Sequence, residues 1–207
     1  MKEVASIPTG LCGTGTTRDT CESGVAKPKQ RSLRSTLSQV VPWLLAKFYL
    51  RHCDAIGRRV RTFGKPVVDN AGTMILGDKV RIVSKITPSE LITFPGGKLE
   101  IGNSVFINRG TTISASQLVR IGNNCQIGTH CVIMDNDLHS IEDHLERPRP
   151  SHVIIEDDVW LGTRVIVLKG VTIGKGSTIG AGSVVTKSIP PRSVAAGVPA
   201  RVIRKLA

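Results

Sequence analysis

From Ile155 onward an apolar residue falls at every sixth position: Ile155, Leu161, Val167, Ile173, Ile179 and Val185, with glycine directly after three of them at Gly162, Gly174 and Gly180. A second slot, four residues after each, holds Val159, Val165, Val171, Ser177, Ser183 and Ile189. Ile101, Ile107 and Ile113 begin the same grammar. After a two-residue shift it resumes at Ile121, Ile127 and Ile133, with Val105, Thr111, Cys125 and Cys131 in the second slot. Neither a helix of period 3.6 nor an alternating strand gives a strict period of six with glycine at a fixed phase. A flat-sided solenoid does: each hexad supplies one short strand and one turn, and equivalent side chains stack in inward ladders. Three hexads would close a triangular coil. The repeats predict roughly four coils or more, enough to bury a continuous core.

Composition agrees with an interior of stacked aliphatic side chains: aromatics are 3% of residues and glycine numbers 21. A chain of 207 residues accommodates one main domain with an appendage. Residues 1–30, rich in Gly, Thr, Ser, Lys and Pro without apolar period, read as a disordered basic tail. Residues 31–65 read as an amphipathic helical segment, broken or kinked near Pro42, because Leu33, Leu37, Val40, Val41, Leu44, Leu45, Phe48, Tyr49 and Ile56 recur at helical spacing. The solenoid is expected over 66–190, with a C-terminal segment over 191–207.

The net charge of +12 is concentrated at the start, where residues 1–65 hold twelve Lys/Arg against four Asp/Glu. Such an excess suits an anionic surface or a phosphorylated ligand, and a peripheral membrane contact through basic residues 31–61 is one expectation. Nucleic acid is not expected, since the aromatic interleaving of a stacking surface is missing. Five cysteines without a CxxC pair fit a reducing cytosol better than a disulfide framework. The start MKEVASIPTG lacks an apolar signal core, and the apolar stretch Val40 to Leu50 is interrupted by Pro42 and Lys47. A cytoplasmic location, with membrane-peripheral contact, is the expectation.

The period breaks once in its middle, between Ile133 and Ile155, at MDNDLHSIEDHLERPRPSHVI. A solenoid projects a loop at such a break, here 134–152, and loops on rigid scaffolds carry function. This one holds His139, His144 and His152 with Asp135, Asp137, Glu142 and Asp143 nearby. An imidazole with an ordinary pKa of about 6.5 can take a proton near neutrality.

The hexads, together with the segments VWLG, IGAGSVVTK and AAGVPARVIR, resemble the hexapeptide-repeat acyltransferases, most closely the galactoside, maltose and colanic-acid O-acetyltransferase branch; the likeness covers Leu76 to Leu206. It implies an all-β solenoid, a left-handed parallel β-helix with an N-terminal helical segment and one protruding loop. It also implies an acetyl-CoA-dependent transferase moving an acetyl or similar acyl group to a hydroxyl of a sugar or polysaccharide precursor. His139 in DNDLHSIED matches the family's base. Asp137, Glu142, Asp143 or a backbone carbonyl would hold its second ring nitrogen. Asn108 in VFINRGTTI matches an asparagine lining the acceptor and thioester pocket. Trp160, Thr163, Ala181, Thr186, Lys187, Arg201 and Arg204 match coenzyme A contacts, with Lys187 and the two arginines suiting its phosphates.

No residue presents itself as a nucleophile, so direct transfer in a ternary complex is expected, with Asn108 or backbone amides at the oxyanion. A zinc site on His139 and His144 lacks a third histidine between His52 and His130, so no metal is expected. The family's trimers, with active sites between subunits, imply a homotrimer. The N-terminal segment departs from the branch and leaves the acceptor open. The alternatives are an N-acetyltransferase acting on an amino sugar or antibiotic, and a non-catalytic trimeric platform.

Overall fold

The computed structural model describes residues 33–206 apart from 141 and 147; the tail expected over 1–30, with Cys12 and Cys21, lies outside the described residues. From Ala55 the chain winds as a parallel β-solenoid of about seven turns, consistent with a left-handed β-helix. Its first face stacks Ala55–Ile56, Thr73–Leu76, Lys98–Ile101, Leu118–Ile121, Val153–Ile155 and Thr172–Ile173. The second stacks Arg61–Gly64, Arg81–Ser84, Phe106–Ile107, Gln126–Ile127, Trp160–Leu161 and Thr178–Ile179. The third stacks Val67–Asn70, Glu90–Thr93, Thr112–Ala115, Val132–Met134, Ile166–Val167 and Val184–Val185.

Each strand pairs with its equivalent one coil away, so the six-residue period becomes a column of like residues. Ile101, Ile121, Ile155 and Ile173 follow one another down the first face, each at most 3% exposed. Burying one such side chain contributes about 1.5–3 kcal/mol, and the columns repeat this down the prism. The second slot is inward as well: Val105, Thr111, Cys125, Cys131, Val159, Ser177 and Ser183 are all buried. Burial pushes the Cys125 thiol up to about 11 and raises Cys131, so both behave as small apolar groups and not as nucleophiles.

The edge between the first and second faces is held by a column of short polar side chains. Asp78 Oδ1 accepts from the Arg58 amide at 2.7 Å, Asn103 Oδ1 from Asp78 at 2.7 Å, Asn123 Oδ1 from Asn103 at 2.8 Å and Asp157 Oδ1 from Asn123 at 2.6 Å. The next residue at each level, Lys79, Ser104, Asn124 and Asp158, has φ near +60°, a conformation in which short polar residues are favoured over bulky ones. Beside this column the coils approach so closely that a Cβ on Gly122 would sit 2.5 Å from Asp157 Oδ1 and 2.7 Å from its backbone nitrogen.

Two expected boundaries need correction. The helix is Leu33–Tyr49 and runs unbroken through Pro42, while the rest of the segment expected to be helical to residue 65 forms solenoid strands from Ala55 onward. Tertiary pairing overrides the helical spacing there, since Ala55–Ile56 bonds to Ile75–Leu76 and Arg61–Gly64 to Arg81–Ser84. The helix buries a narrow stripe of Pro42, Ala46 and, just beyond its end, Leu50 against the first coil; Val40, Val41, Leu44 and Phe48 stay exposed. Beyond residue 190, Ser193–Gly197 continues the second face in parallel with Thr178–Ile179, and Ala200–Lys205 folds back antiparallel on it.

Gly122→Ala is expected to cost about 1–3 kcal/mol through overpacking at the edge column, read as a lower urea midpoint with an unchanged slope.

Candidate active site

The solenoid tolerates extra residues only at its corners, and the third-to-first corner takes nearly all of them. The step across it is six residues from Val167 to Ile173, eight from Ile113 to Ile121 and twenty-two from Ile133 to Ile155. The loop therefore leaves at the corner that is already widened one coil earlier. Its first residue after Val132–Met134 is Asp135, which lies two positions beyond Ile133 and so points inward, fully buried. Its two oxygens accept the amides of Ser116, Gln117 and Leu118, each at 2.7 Å, and its own carbonyl accepts the Ser151 amide at 2.8 Å. One carboxylate thus ties the widened corner to the loop's entrance, while the backbone of the same residue holds the loop's exit.

From this anchor Asn136 donates Nδ2 to Ser116 Oγ at 3.2 Å, and its Oδ1 accepts the Leu138 amide at 2.7 Å, holding Leu138 at φ 63°. The reversal presents His139 to solvent. Its Nδ1 lies 2.8 Å from the carbonyl oxygen of His144. A carbonyl only accepts, so this hydrogen bond places the proton on Nδ1 and leaves Nε2 as the basic nitrogen. The orienting group is therefore a backbone carbonyl and none of the three carboxylates considered: Asp137 pairs with Lys169 Nζ at 2.7 Å, and Asp143 caps the Leu145 amide at 2.9 Å. Among the described residues no group of three or more His, Cys, Asp or Glu side chains is arranged to hold a metal.

A second feature lies across the third face, at the corner between the second and third faces. A groove of about 380 Å³ is lined by Phe106, Asn108, Gln126, Ile127, Gly128, Thr129, Trp160, Gly162 and Thr163. It brings together three of the sequence-derived candidates, Asn108, Trp160 and Thr163, and Trp160 is 57% exposed. Its floor follows from register: Phe106, Gln126 and Trp160 are partners on adjacent strands, with outward side chains. Ala181 continues the same edge, its backbone nitrogen 2.7 Å from where a Cβ on Gly162 would sit. Arg201 and Arg204 are exposed on the final antiparallel strand of the second face. Thr186 and Lys187 instead follow Val184–Val185 at the loop's own corner. Within one chain, then, the candidates divide between two edges of the prism, with His139, Thr186 and Lys187 on one and Asn108, Trp160, Thr163 and Ala181 on the other.

Phe106, Gln126 and Thr129 in the groove and Lys169 at the loop were not among the sequence-derived candidates, and Asp135 was named only as one of the loop's acids, without its anchoring role. Asp135 carried a usable signal, since an acid stands where the alternation from Cys131 and Ile133 demands an inward residue. Lys169 and Asp137 lie 32 positions apart in the chain, and nothing in the hexads pairs them.

Residues 152–187 match the bacterial transferase hexapeptide (six repeats) model. Galactoside O-acetyltransferase from Escherichia coli (strain K12) is 40% identical over 114 residues, 54% of this chain and 56% of that protein. The chain spans a little over half the length of the curated relatives it matches. Among solved structures, a maltose O-acetyltransferase from Clostridium difficile 630 superposes with a TM-score of 0.51 at 25% identity, covering 86% of this chain and 90% of that one. The N-acyltransferase AntD from Bacillus cereus, in complex with dTDP-4-amino-4,6-dideoxyglucose and coenzyme A, shares the fold with a TM-score of 0.61 at 21% identity, covering 80% and 89%. By these comparisons the chain is similar to hexapeptide-repeat transferases.

Asp135→Ala leaves three amides without their acceptor and is expected to lower stability by about 3 kcal/mol or more. Hydrogen exchange at Ser116, Gln117 and Leu118 should speed up, and unchanged protection there would show that the carboxylate does not hold the loop.

Proposed function

We propose that the protein is an acetyl-CoA-dependent O-acetyltransferase acting on a saccharide hydroxyl, with His139 as general base. The observation that carries this reading is the His139 ring, held through Nδ1 by the His144 carbonyl so that Nε2 is the proton acceptor. In this reading Nε2 takes the proton of the acceptor hydroxyl as its oxygen attacks the thioester carbonyl, and the thiolate of coenzyme A leaves. The Asn108 side chain or backbone amides stabilise the developing oxyanion. The groove by Trp160 and Thr163 takes the pantetheine arm, Ala181 and Thr186 flank it, and Lys187, Arg201 and Arg204 meet the phosphates. The galactoside and maltose O-acetyltransferases among the relatives support a sugar hydroxyl, and AntD, an N-acyltransferase, keeps an amine acceptor as the second reading.

The division of these residues between two edges supports a homotrimer with sites between subunits. The third face is the wall that separates the two edges, and its outer surface carries a column of Val132, Ile166 and Val184 in register. Association through such apolar faces would bring the loop of one subunit toward the groove of its neighbour. At the other end, the exposed Val40, Val41, Leu44 and Phe48, with Lys47 and Arg51 beside them, support peripheral contact with anionic membrane. A place in polysaccharide precursor synthesis in the cytoplasm completes the reading.

His139→Ala is expected to reduce kcat by about 10²–10⁴-fold while leaving coenzyme A affinity, measured by calorimetry, within a few-fold of the wild type. Near wild-type turnover with an acceptor found by screening hydroxyl and amine sugars would overturn the assignment, and absence of coenzyme A binding at millimolar concentration would favour a non-catalytic platform. Leu44→Gln with Phe48→Gln is expected to abolish co-sedimentation with phosphatidylserine vesicles, and unchanged retention would remove the membrane contact.

A further inference from the structure

The edge between the first and second faces carries a feature that the acyl-transfer reading does not use, and it adjoins the groove only through Phe106, the register partner of Arg81. A cleft of about 270 Å³ on the N-terminal coils is lined by Arg59, Arg61, Lys79, Arg81 and Ser104. Arg61 and Arg81 are register partners on adjacent parallel strands, with Thr62 and Ile82 buried between the outward positions. Their Cα atoms are therefore one strand spacing apart, about 4.8 Å. Arg59 and Lys79 occupy the same left-handed turn position one coil apart, at φ 57° and 59°, and Ser104 continues that column at 59°.

Like charges placed directly opposite one another in a sheet are destabilising. Elsewhere the same fold avoids this, for on the first face Glu100 stands between Lys98 and Arg120, 2.5 Å from each. None of the ion pairs among the described residues involves Arg59, Arg61, Lys79 or Arg81. The nearest acid in sequence, Asp78, turns one carboxylate oxygen to the Arg58 amide and does not line the cleft. The Arg81 guanidinium sits 5.1 Å from the centroid of the Phe106 ring, which steadies its plane. Among the described residues the result is a concentrated positive cleft without an ion pair, with two fork-shaped donors one strand apart.

We propose that this cleft binds a phosphate-bearing anion, a phosphomonoester or diphosphate, with Arg61 and Arg81 as bidentate donors, Arg59 and Lys79 as flanking charges and the Ser104 hydroxyl as a neutral partner. Guanidinium pairs match phosphate oxygens in both geometry and charge, and the anion relieves the repulsion that the register imposes. The shared chemistry is the phosphate group, presented by a soluble ligand or by a lipid headgroup. The site touches the groove through Phe106 alone, and the proposal does not depend on the acyl-transfer reading.

The test is calorimetric titration of inorganic pyrophosphate into the full chain at low ionic strength. Wild-type protein is expected to bind, Arg61→Gln with Arg81→Gln to bind roughly tenfold or more weakly, and Lys98→Gln with Arg120→Gln, which removes the same charge from the first face, to bind as the wild type does. Equal affinity in the Arg61/Arg81 variant, or an equal loss in the Lys98/Arg120 variant, overturns the site. In the absence of ligand the Arg61/Arg81 variant is expected to melt above the wild type in low salt, the gap closing as salt screens the charges; melting at or below the wild type overturns the unrelieved repulsion. Vesicles of phosphatidylcholine with about a quarter phosphatidic acid, whose headgroup is a phosphomonoester, separate the two sources. Retention that needs Arg61 and Arg81 and is competed by pyrophosphate assigns a headgroup, pyrophosphate binding without such retention assigns a soluble ligand, and failure of the wild type to bind either probe ends the proposal.

Discussion

Every feature of this molecule depends on the hydrogen bonding of each strand to its equivalent one coil away. Where the period is clean the partners lie eighteen residues apart, as in Trp160↔Thr178 and Ile166↔Val184. Where the loop intervenes they lie thirty-four apart, as in Gln126↔Trp160 and Val132↔Ile166, yet the register is kept. The backbone ladder fixes which residues may face inward, and a one-residue slip within a strand would turn an apolar column outward. Insertions are therefore confined to corners, where extra chain can leave the prism without disturbing the strands on either side.

That confinement decides where chemistry can occur. The widened corner at Ser116 to Leu118 offers three amides with no strand to pair with, and Asp135 one coil later supplies the acceptors. A buried carboxylate is costly unless fully hydrogen-bonded, and here the bonds it needs are those the corner leaves open. The loop that carries His139 is thereby anchored to the solenoid's own corner, while the ring itself is oriented by a carbonyl within the loop. The groove by Trp160 arises from the same ladder on another edge, where Gly128 and Gly162 keep the corner narrow and Phe106, Gln126 and Trp160 stack outward.

Much of the fold was legible because the hexad period has no competing explanation, and the inward residues Ile101, Ile121, Ile155 and Ile173 could be named from spacing alone. The N-terminal boundary was not. Arg61–Gly64 carries too few apolar residues to announce a period, and it is a strand because it extends a ladder already set by later coils. The helix was legible in extent only as far as Tyr49, and its facing was not, since Pro42, Ala46 and Leu50 make a less apolar stripe than the one left exposed. At the site, His139 stood out by lying in the one break of the period. Its orienting group did not, because a backbone carbonyl has no sequence signature.

The sequence by itself determined the repeat, the identity of the inward ladders, the position of the one large excursion and the kind of residue it carries, because these follow from the spacing of side chains along a single strand direction. Only the tertiary structure decided which residues from different coils meet: Asp135 with the corner at Ser116, Asp137 with Lys169, Arg61 opposite Arg81, and the separation of His139 from the groove at Asn108. Those meetings depend on the number of residues each corner absorbs, and that number is set by how successive coils close on one another in three dimensions.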